Sequence, residues 1–235
     1  MFVDEARTFI DDSIGESWLN CLKKIYNEGT DFIDEGRPMK ELVSINFIIS
    51  KPNSKDSIIE KLGSKETIKE FLDTFFGKRK WLKDVDIKPN FGDFDAISYS
   101  VRLFNFNGFN QVENIIQRLS LIPESKRCLI SLSMPDKDWD KDYLPCIDTI
   151  HFLLRDKHLH AYVHCRGLDF AQKAYANLIC LAKLQERVLN GINKKTRDGN
   201  LIGSLNLMID SCHFYEDTRY IVEEILQKEE KHEKT

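Results

Sequence analysis

Apolar positions recur along this chain with two different periods. Phe9, Ile10, Ile14, Trp18, Leu22 and Ile25 fall at near-helical spacing and predict an amphipathic helix from about Asp4 to Tyr26. Glu35-Gly-Arg-Pro-Met reads as a turn. Leu42 to Ser50 is rich in β-branched and apolar residues and reads as a strand, ended by Lys51-Pro-Asn. Asp56 to Leu62 reads as a short helix. Ser64-Lys-Glu-Thr is a helix start ahead of Ile68 to Phe76, which stops at Gly77. From Ala96 to Phe106, Ile97, Tyr99, Val101 and Leu103 alternate and predict a strand. Val112, Ile115, Ile116 and Leu119 make a helical stripe over Asn110 to Leu121, closed by Pro123. Three strand-like segments follow: Arg127 to Ser133, Asp148 to Leu154 and Leu159 to Arg166. Phe170 to Leu189 predicts a long buried helix, Asn190 to Asn200 a polar turn, Leu201 to Cys212 a strand and Glu216 to Gln227 a last helix.

This order, with adjacent strands in the middle and helices around them, predicts the α+β class. The expectation is a single domain over 1–227, with a large mixed or antiparallel sheet flanked by helices. The charge run 228–235 reads as a disordered tail. The formal net charge of −4 speaks against a nucleic acid polymer as partner, so any phosphate site has to be local. No apolar run approaches the roughly 18–20 residues of a membrane span. The N-terminal stretch lacks the basic-then-apolar layout of a signal peptide. The six cysteines form no C-x-x-C pair, which points to reduced thiols in a cytoplasmic protein.

One cysteine stands apart by its company. Cys146 follows a proline in Tyr-Leu-Pro-Cys-Ile-Asp, between two expected strands, and Arg166, Asp169 and Asn177 come after it. A thiolate nucleophile needs a cation nearby, and Arg166 is the candidate. The elements Pro145-Cys146, Arg166-x-x-Asp169, Asn177 and His213-Phe-Tyr215 occur in the order and approximate spacing of the thymidylate synthase superfamily. Ser125-Lys-Arg is similar to that family's Ser-Arg-Arg strand entry, and the helix from Lys69 to Gly77 resembles the one carrying its catalytic glutamate. The resemblance is closest to short archaeal-type members and covers about Tyr99 to Glu216, roughly half the chain.

The resemblance implies a thymidylate synthase-like fold and a pyrimidine nucleotide substrate. Cys146 would attack C6 of the uracil of dUMP, activating C5 toward the one-carbon unit of methylenetetrahydrofolate and yielding dTMP. Glu70 would organise water and proton transfers. Arg166 would bind the nucleotide phosphate, joined by Arg127 and Lys126 across a homodimer interface and by Arg37 from the early turn. Asn177 would pair with the uracil amide edge, where an aspartate would favour cytosine. His213 and Tyr215 would bond a sugar hydroxyl, Asp169 would hold the pterin ring, and Tyr99 is a further substrate-site candidate.

The chain also departs from the family pattern. Gly167 stands where a serine is usual, and Gln172-Lys173-Ala replaces a Gly-x-Pro run. Trp81 and Trp139 are not at the spacing of the folate-flanking tryptophans, and the chain ends soon after Tyr215. Two alternatives therefore stand beside methylation: hydroxymethylation of a pyrimidine nucleotide, or a repurposed member that keeps the pocket as a sensor. His158, His160 and His164 share a strand face with Tyr162 and Arg166. With no acidic or cysteine ligand expected on that face, the reading is a polar sheet face in a subunit interface, and no metal is expected.

Overall fold

The computed structural model describes residues 7–77, 97–139 and 144–233. Its first helix, α1 (Ile14–Glu28), begins later than periodicity suggests, because Ser13 stops it. The Ser13 side chain accepts from Glu16 N while Glu16 Oε2 accepts from Ser13 N, a reciprocal cap that fixes the first turn. Ahead of the cap, β1 (Thr8–Asp11) is a strand and not part of the helix. The turn near Glu35 is the tip of a hairpin between β2 (Thr30–Asp34) and β3 (Arg37–Ile49). Glu35 and Gly36 both adopt positive φ (48 and 83°), as a two-residue hairpin loop requires. Arg37 is therefore the first residue of a strand rather than part of the loop.

Helices α2 (Ser57–Leu62) and α3 (Lys65–Phe75) follow as expected. The segment expected as a strand from Ala96 to Phe106 is instead helix α4 (Tyr99–Phe104). Alternation over so few residues fits both periods, since Tyr99 and Leu103 are also a helical i, i+4 pair, and both are buried. Arg102 decides between them. It is fully buried and gives a forked pair of bonds to Asp138 (2.9 and 2.5 Å) and single bonds to the Ile97 and Leu132 carbonyls. Asp138 closes the short helix α6 (Pro135–Asp138), which follows α5 (Gln111–Leu121) and β4 (Leu129–Ser131).

The second half holds β5 (Ile147–Arg155), β6 (His158–Cys165) and the short β7 (Leu168–Asp169). Helix α7 (Ala174–Thr196) starts four residues into the expected span and runs through the supposed turn at Asn190. Ile192 is buried there, and a Cβ on Gly191 would lie 2.6 Å from Ile116, so the glycine permits close packing on α5 instead of breaking the helix. After β8 (Leu201–Tyr215) and a 3₁₀ turn (Glu216–Thr218), α8 (Arg219–Glu233) carries on through most of the charge run read as a disordered tail.

The strands form one mixed eight-stranded sheet in the order β1-β3-β8-β6-β5-β4, with β2 on the same edge of β3 as β1 and β7 extending β6 along β8. Helix α1 packs on β3 and β8, and α7 on β8 and β6. Ile45, Phe47, Ile49, Leu205, Leu207 and Ile209 are buried beneath them, while Ile48, Tyr162 and Met208 on the opposite face are exposed. Halfway along, the alternation slips by one residue. On β3 Ser44 has φ 58°, between Val43 and Ile45, whose partners on β8 are Ser211 and Ile209. Beyond the slip Cys212 and Phe214 are the buried pair, packed toward Cys21 and Tyr26 of α1, so Ser211, His213 and Tyr215 turn away from that helix. A matching irregularity falls between Ile147 and Thr149 on β5.

Candidate functional site

The slip positions the site. Pairing of Ile147 with Cys165 sets Cys146 beside Arg166, whose N–H donates to the Cys146 carbonyl at 3.0 Å. The Arg166 guanidinium reaches back to the same loop, giving Nε to Pro145 O (3.1 Å) and one Nη to Leu144 O (2.8 Å). On its other side the loop is held by Tyr99, whose hydroxyl accepts from Ile147 N at 3.1 Å. The Tyr99 ring stacks on Phe75 at 4.3 Å. Of the six cysteines, five are buried and Cys146 alone is partly exposed. The contrast with Cys165 is sharp: burial, then the neighbouring Cys146 and Asp148, push the Cys165 thiol well above its ordinary range. Only Cys146 combines a fixed backbone with access to solvent.

From Arg166 the chain crosses Gly167 and pairs β7 with the end of β8, placing Asp169 opposite His213. Asp169 is buried, and both of its hydrogen bonds fall on Oδ1, from Ala171 N (3.0 Å) and Gln172 N (3.2 Å). Burial raises its pKa, partly offset by His213 and Lys173. Those two bonds turn the chain into α7, where Asn177 lies one turn in. Its Nδ2 donates to Lys173 O at 3.2 Å, within its own helix. Its Oδ1 is buried and has no partner. An unpaired buried amide oxygen costs about 1–3 kcal/mol and is rare without a reason.

His213 and Tyr215 close the far side. Their rings meet edge to face at 5.2 Å. His213 Nδ1 lies 3.0 Å from Ser211 Oγ, which in turn donates to Glu41 Oε1 at 2.5 Å. Burial lowers the His213 pKa, against the opposing pull of Asp169, Asp34 and Glu41. Tyr215 donates to Asp34 Oδ2 at 3.0 Å. Burial, followed by Asp34, raises its pKa. Arg37 stacks on the Tyr215 ring, 3.7 Å from its centroid, and forks onto Asp217 at 2.8–3.0 Å. Its guanidinium thus sits at the rim, already engaged.

The geometry invites comparison with known proteins. The family model for thymidylate synthase matches residues 17–235. This chain belongs to the thymidylate synthase family. Similar proteins come from methanogenic archaea and are provisionally named thymidylate synthases. One from Methanosarcina mazei is 27% identical over 217 residues, 92% of each chain. Another, from Methanothermobacter thermautotrophicus, is 26% identical over 221 residues, 92% of this chain and 96% of its own. A third, from Methanopyrus kandleri, is 30% identical over 124 residues, 51% of this chain and 55% of its own.

Within that family pattern, the structure brings Cys146, Arg166, Asp169, Asn177, His213, Tyr215, Tyr99 and Arg37 to one end of the sheet. Glu70 sits partly buried on α3, which packs against α7 and reaches Tyr99 through Phe75. Arg127 and Lys126 do not join them. Cys128 O accepts from Phe152 N, so these exposed residues lie near the opposite end of β5 from Cys146, about 20 Å away at roughly 3.3 Å per residue. A Cβ on Gly167 would meet His213 Cε1 and Ser211 at 3.6 Å, an ordinary contact, so the missing serine leaves open room beside the imidazole. Trp139 is exposed, and Trp81 lies outside the described residues.

One expectation about the histidine face is corrected. Acids do share it: His164 Nδ1 lies 2.9 Å from Asp148 Oδ2 and its Nε2 3.2 Å from Asp210 Oδ1. The irregularity in β5 brings Asp148 round to this side, which strict alternation does not show, whereas Asp210 shares the outward face of Met208 by the period of two. His160 instead bonds Ser204 Oγ at 2.9 Å. Sequence reasoning also missed Glu41, Ser211, Asp34 and Asp217. Period two along β8 puts Ser211 with His213 and Tyr215, so that signal was available. The three acids come from pairing partners or a later turn and carried none.

Proposed function

We propose that this protein transfers a one-carbon unit to C5 of dUMP, as thymidylate synthases do, through a covalent bond from Cys146 Sγ to C6 of the uracil. One observation carries the reading: the single accessible cysteine stands beside Arg166 in a stretch that leads directly to Asn177, whose buried amide oxygen lacks a partner. The imide N–H of uracil supplies the donor that Oδ1 lacks, and Asn177 Nδ2 can leave its weak helix bond for a uracil carbonyl. Arg166 anchors the Pro145-Cys146 loop through two carbonyls and keeps its remaining N–H groups for the phosphate. Tyr99 fixes the amide next to the nucleophile, which holds the backbone that carries Cys146 in place. Glu70, on the helix packed against both α7 and Tyr99, organises the proton transfers at the ring.

Methylenetetrahydrofolate supplies the one-carbon unit and, for methylation, the reducing hydride. Asp169 fits its pterin ring only through Oδ2, since Oδ1 is committed to the start of α7. We also infer a homodimer through the open sheet face, where Ile10, Ile48, Tyr162 and Met208 are exposed. Arg127 and Lys126, far from Cys146 in their own chain, would then serve the partner's phosphate site. Free thiols throughout suit a reducing, cytoplasmic setting. Among the described residues no helix is long and apolar enough to cross a membrane.

The test is intact mass spectrometry after incubation with 5-fluoro-dUMP, with and without methylenetetrahydrofolate. The expected result is an adduct on Cys146 that is lost in Cys146→Ser. Nucleotide binding with no adduct would instead mark a sensor. Product identification after turnover separates a methyl from a hydroxymethyl group, and sedimentation tests the dimer.

A further inference from the structure

Behind the two aromatic side chains that end β8 stand two carboxylates. Glu41 lies opposite His213 in the β3–β8 register, and its Oε1 takes the Ser211 hydroxyl at 2.5 Å. A carboxylate has no hydrogen to give, so Ser211 is the donor there. Its oxygen can then only accept from His213 Nδ1, 3.0 Å away. The hydrogen on Nδ1 leaves Nε2 with a lone pair, provided the ring is neutral, and burial favours the neutral ring. The same logic holds for its neighbour: Tyr215 spends its only hydrogen on Asp34 Oδ2. Both rings therefore present acceptors, and neither presents a donor. Gly167 leaves the flank of the imidazole clear, since even a Cβ at that position would stand 3.6 Å from Cε1.

We propose that Glu41 and Ser211 are positioning residues: they hold His213 as its Nδ1–H tautomer, so that the site selects a nucleotide whose sugar donates a hydroxyl hydrogen to Nε2. This rests on the nucleotide reading above and goes further, by naming the relay and the polarity it imposes. The groups facing His213 agree with that polarity. Asp169 from β7, Asp34 from β2 and Glu41 from β3 are all acids, and Arg37 over the Tyr215 ring is already paired with Asp217, so this side favours a hydroxyl over a phosphate. The nucleotide is thereby oriented with its phosphate toward Arg166 and its free hydroxyl toward β8. A site built to take a donated hydrogen rejects an analogue lacking it, because the buried acceptor is left unpaired.

Two measurements test this. In ligand-free protein with ¹⁵N-labelled histidine, the ring nitrogen shifts report which nitrogen of His213 carries the hydrogen. Nδ1–H is expected in the wild type and in Ser211→Thr, and a mixture of tautomers in Ser211→Ala and Glu41→Gln. Binding of dUMP is then compared with that of 3′-fluoro-2′,3′-dideoxyuridylate, a near-isostere with no hydrogen to donate. The wild type is expected to prefer dUMP by about 10–100-fold. That preference should fall to about threefold or less in Ser211→Ala and Glu41→Gln and return in Ser211→Thr. Nε2–H in the wild type, or an undiminished preference in Ser211→Ala, would overturn the proposal. Failure of dUMP to bind, with Nδ1–H observed, would overturn the nucleotide reading and the sugar selection built on it. The tautomer seen without ligand tells that failure apart from failure of the relay.

Discussion

Two amides on helix α7 answer the same problem in opposite ways. Asn177 and Gln185 are both buried, and each has a side-chain oxygen without a partner. Gln185 sits over the starts of β6 and β8, at the end of these strands away from Cys146. Its Nε2 reaches three carbonyls, Leu159 at 2.7 Å, Gly203 at 3.2 Å and Ser204 at 3.3 Å, where the β6–β8 register shifts. Those carbonyls are left over by the irregular ladder, and no ligand is needed to explain the residue. Asn177 has only a 3.2 Å bond to the helix carbonyl four residues back, which is easily exchanged. Burial and a missing partner thus do not by themselves mark a binding residue. The discriminating quantity is where the other half of the amide is committed.

This contrast can be broken by experiment. The largest effect is expected from Gln185→Ala, which strips three carbonyls and leaves a cavity: a loss of about 2–4 kcal/mol in denaturant unfolding, with dUMP affinity of the folded protein unchanged. Asn177→Ala should do the reverse, weakening dUMP about 10–100-fold by calorimetry while stability moves by no more than about 1 kcal/mol. Asn177→Asp sharpens it further, since a carboxyl group should shift preference toward a cytosine nucleotide in competition binding. If Asn177→Ala proves as destabilising as Gln185→Ala, both amides are structural and the distinction fails. Tyr99→Phe removes one bond to the Ile147 amide and should cost about 1 kcal/mol, seen together with slower 5-fluoro-dUMP adduct formation.

The smallest effect is one of pH. Because burial lowers the His213 pKa, the unfolded chain takes up its proton first, near the ordinary value of about 6.5. The stability this neutral ring contributes is full above that value and falls as pH drops from there toward the folded pKa. Asp169 has the opposite sign, its raised pKa adding stability as it protonates at lower pH. Unfolding curves from pH 7.5 to 5.5 should therefore slope downward with acidification in the wild type and less so in His213→Asn. Equal slopes would assign the pH dependence to other groups.

Much of the site could be read from the chain because it is nearly contiguous: Cys146, Arg166, Asp169 and Asn177 follow one another through β5, β6, β7 and the start of α7. Side chains that arrive from paired strands could not. Glu41 and Asp34 gain their meaning only from the β3–β8 and β2–β3 registers, which depend on a hairpin and a slip that composition does not announce. The strand expected around Tyr99 failed for a related reason. Its apolar spacing satisfied both periods, and the deciding contact, Arg102 with Asp138, joins residues 36 positions apart. Asn177 was legible through its place in the order Cys146, Arg166, Asp169, whereas Gln185, a buried amide of the same helix, belongs to no motif.

The slip at Ser44 and Ile209 gives one sheet surface two tenants. Above it, even-numbered residues of β8 such as Met208 look outward; below it, odd-numbered Ser211, His213 and Tyr215 do. Reading frame and chemistry are therefore geared together at this point. Asp210 and Ser211 are consecutive residues that both face away from the helices; were strict alternation to run on from Ile209 instead, Cys212 and Phe214 would face outward and His213 and Tyr215 would be driven into α1.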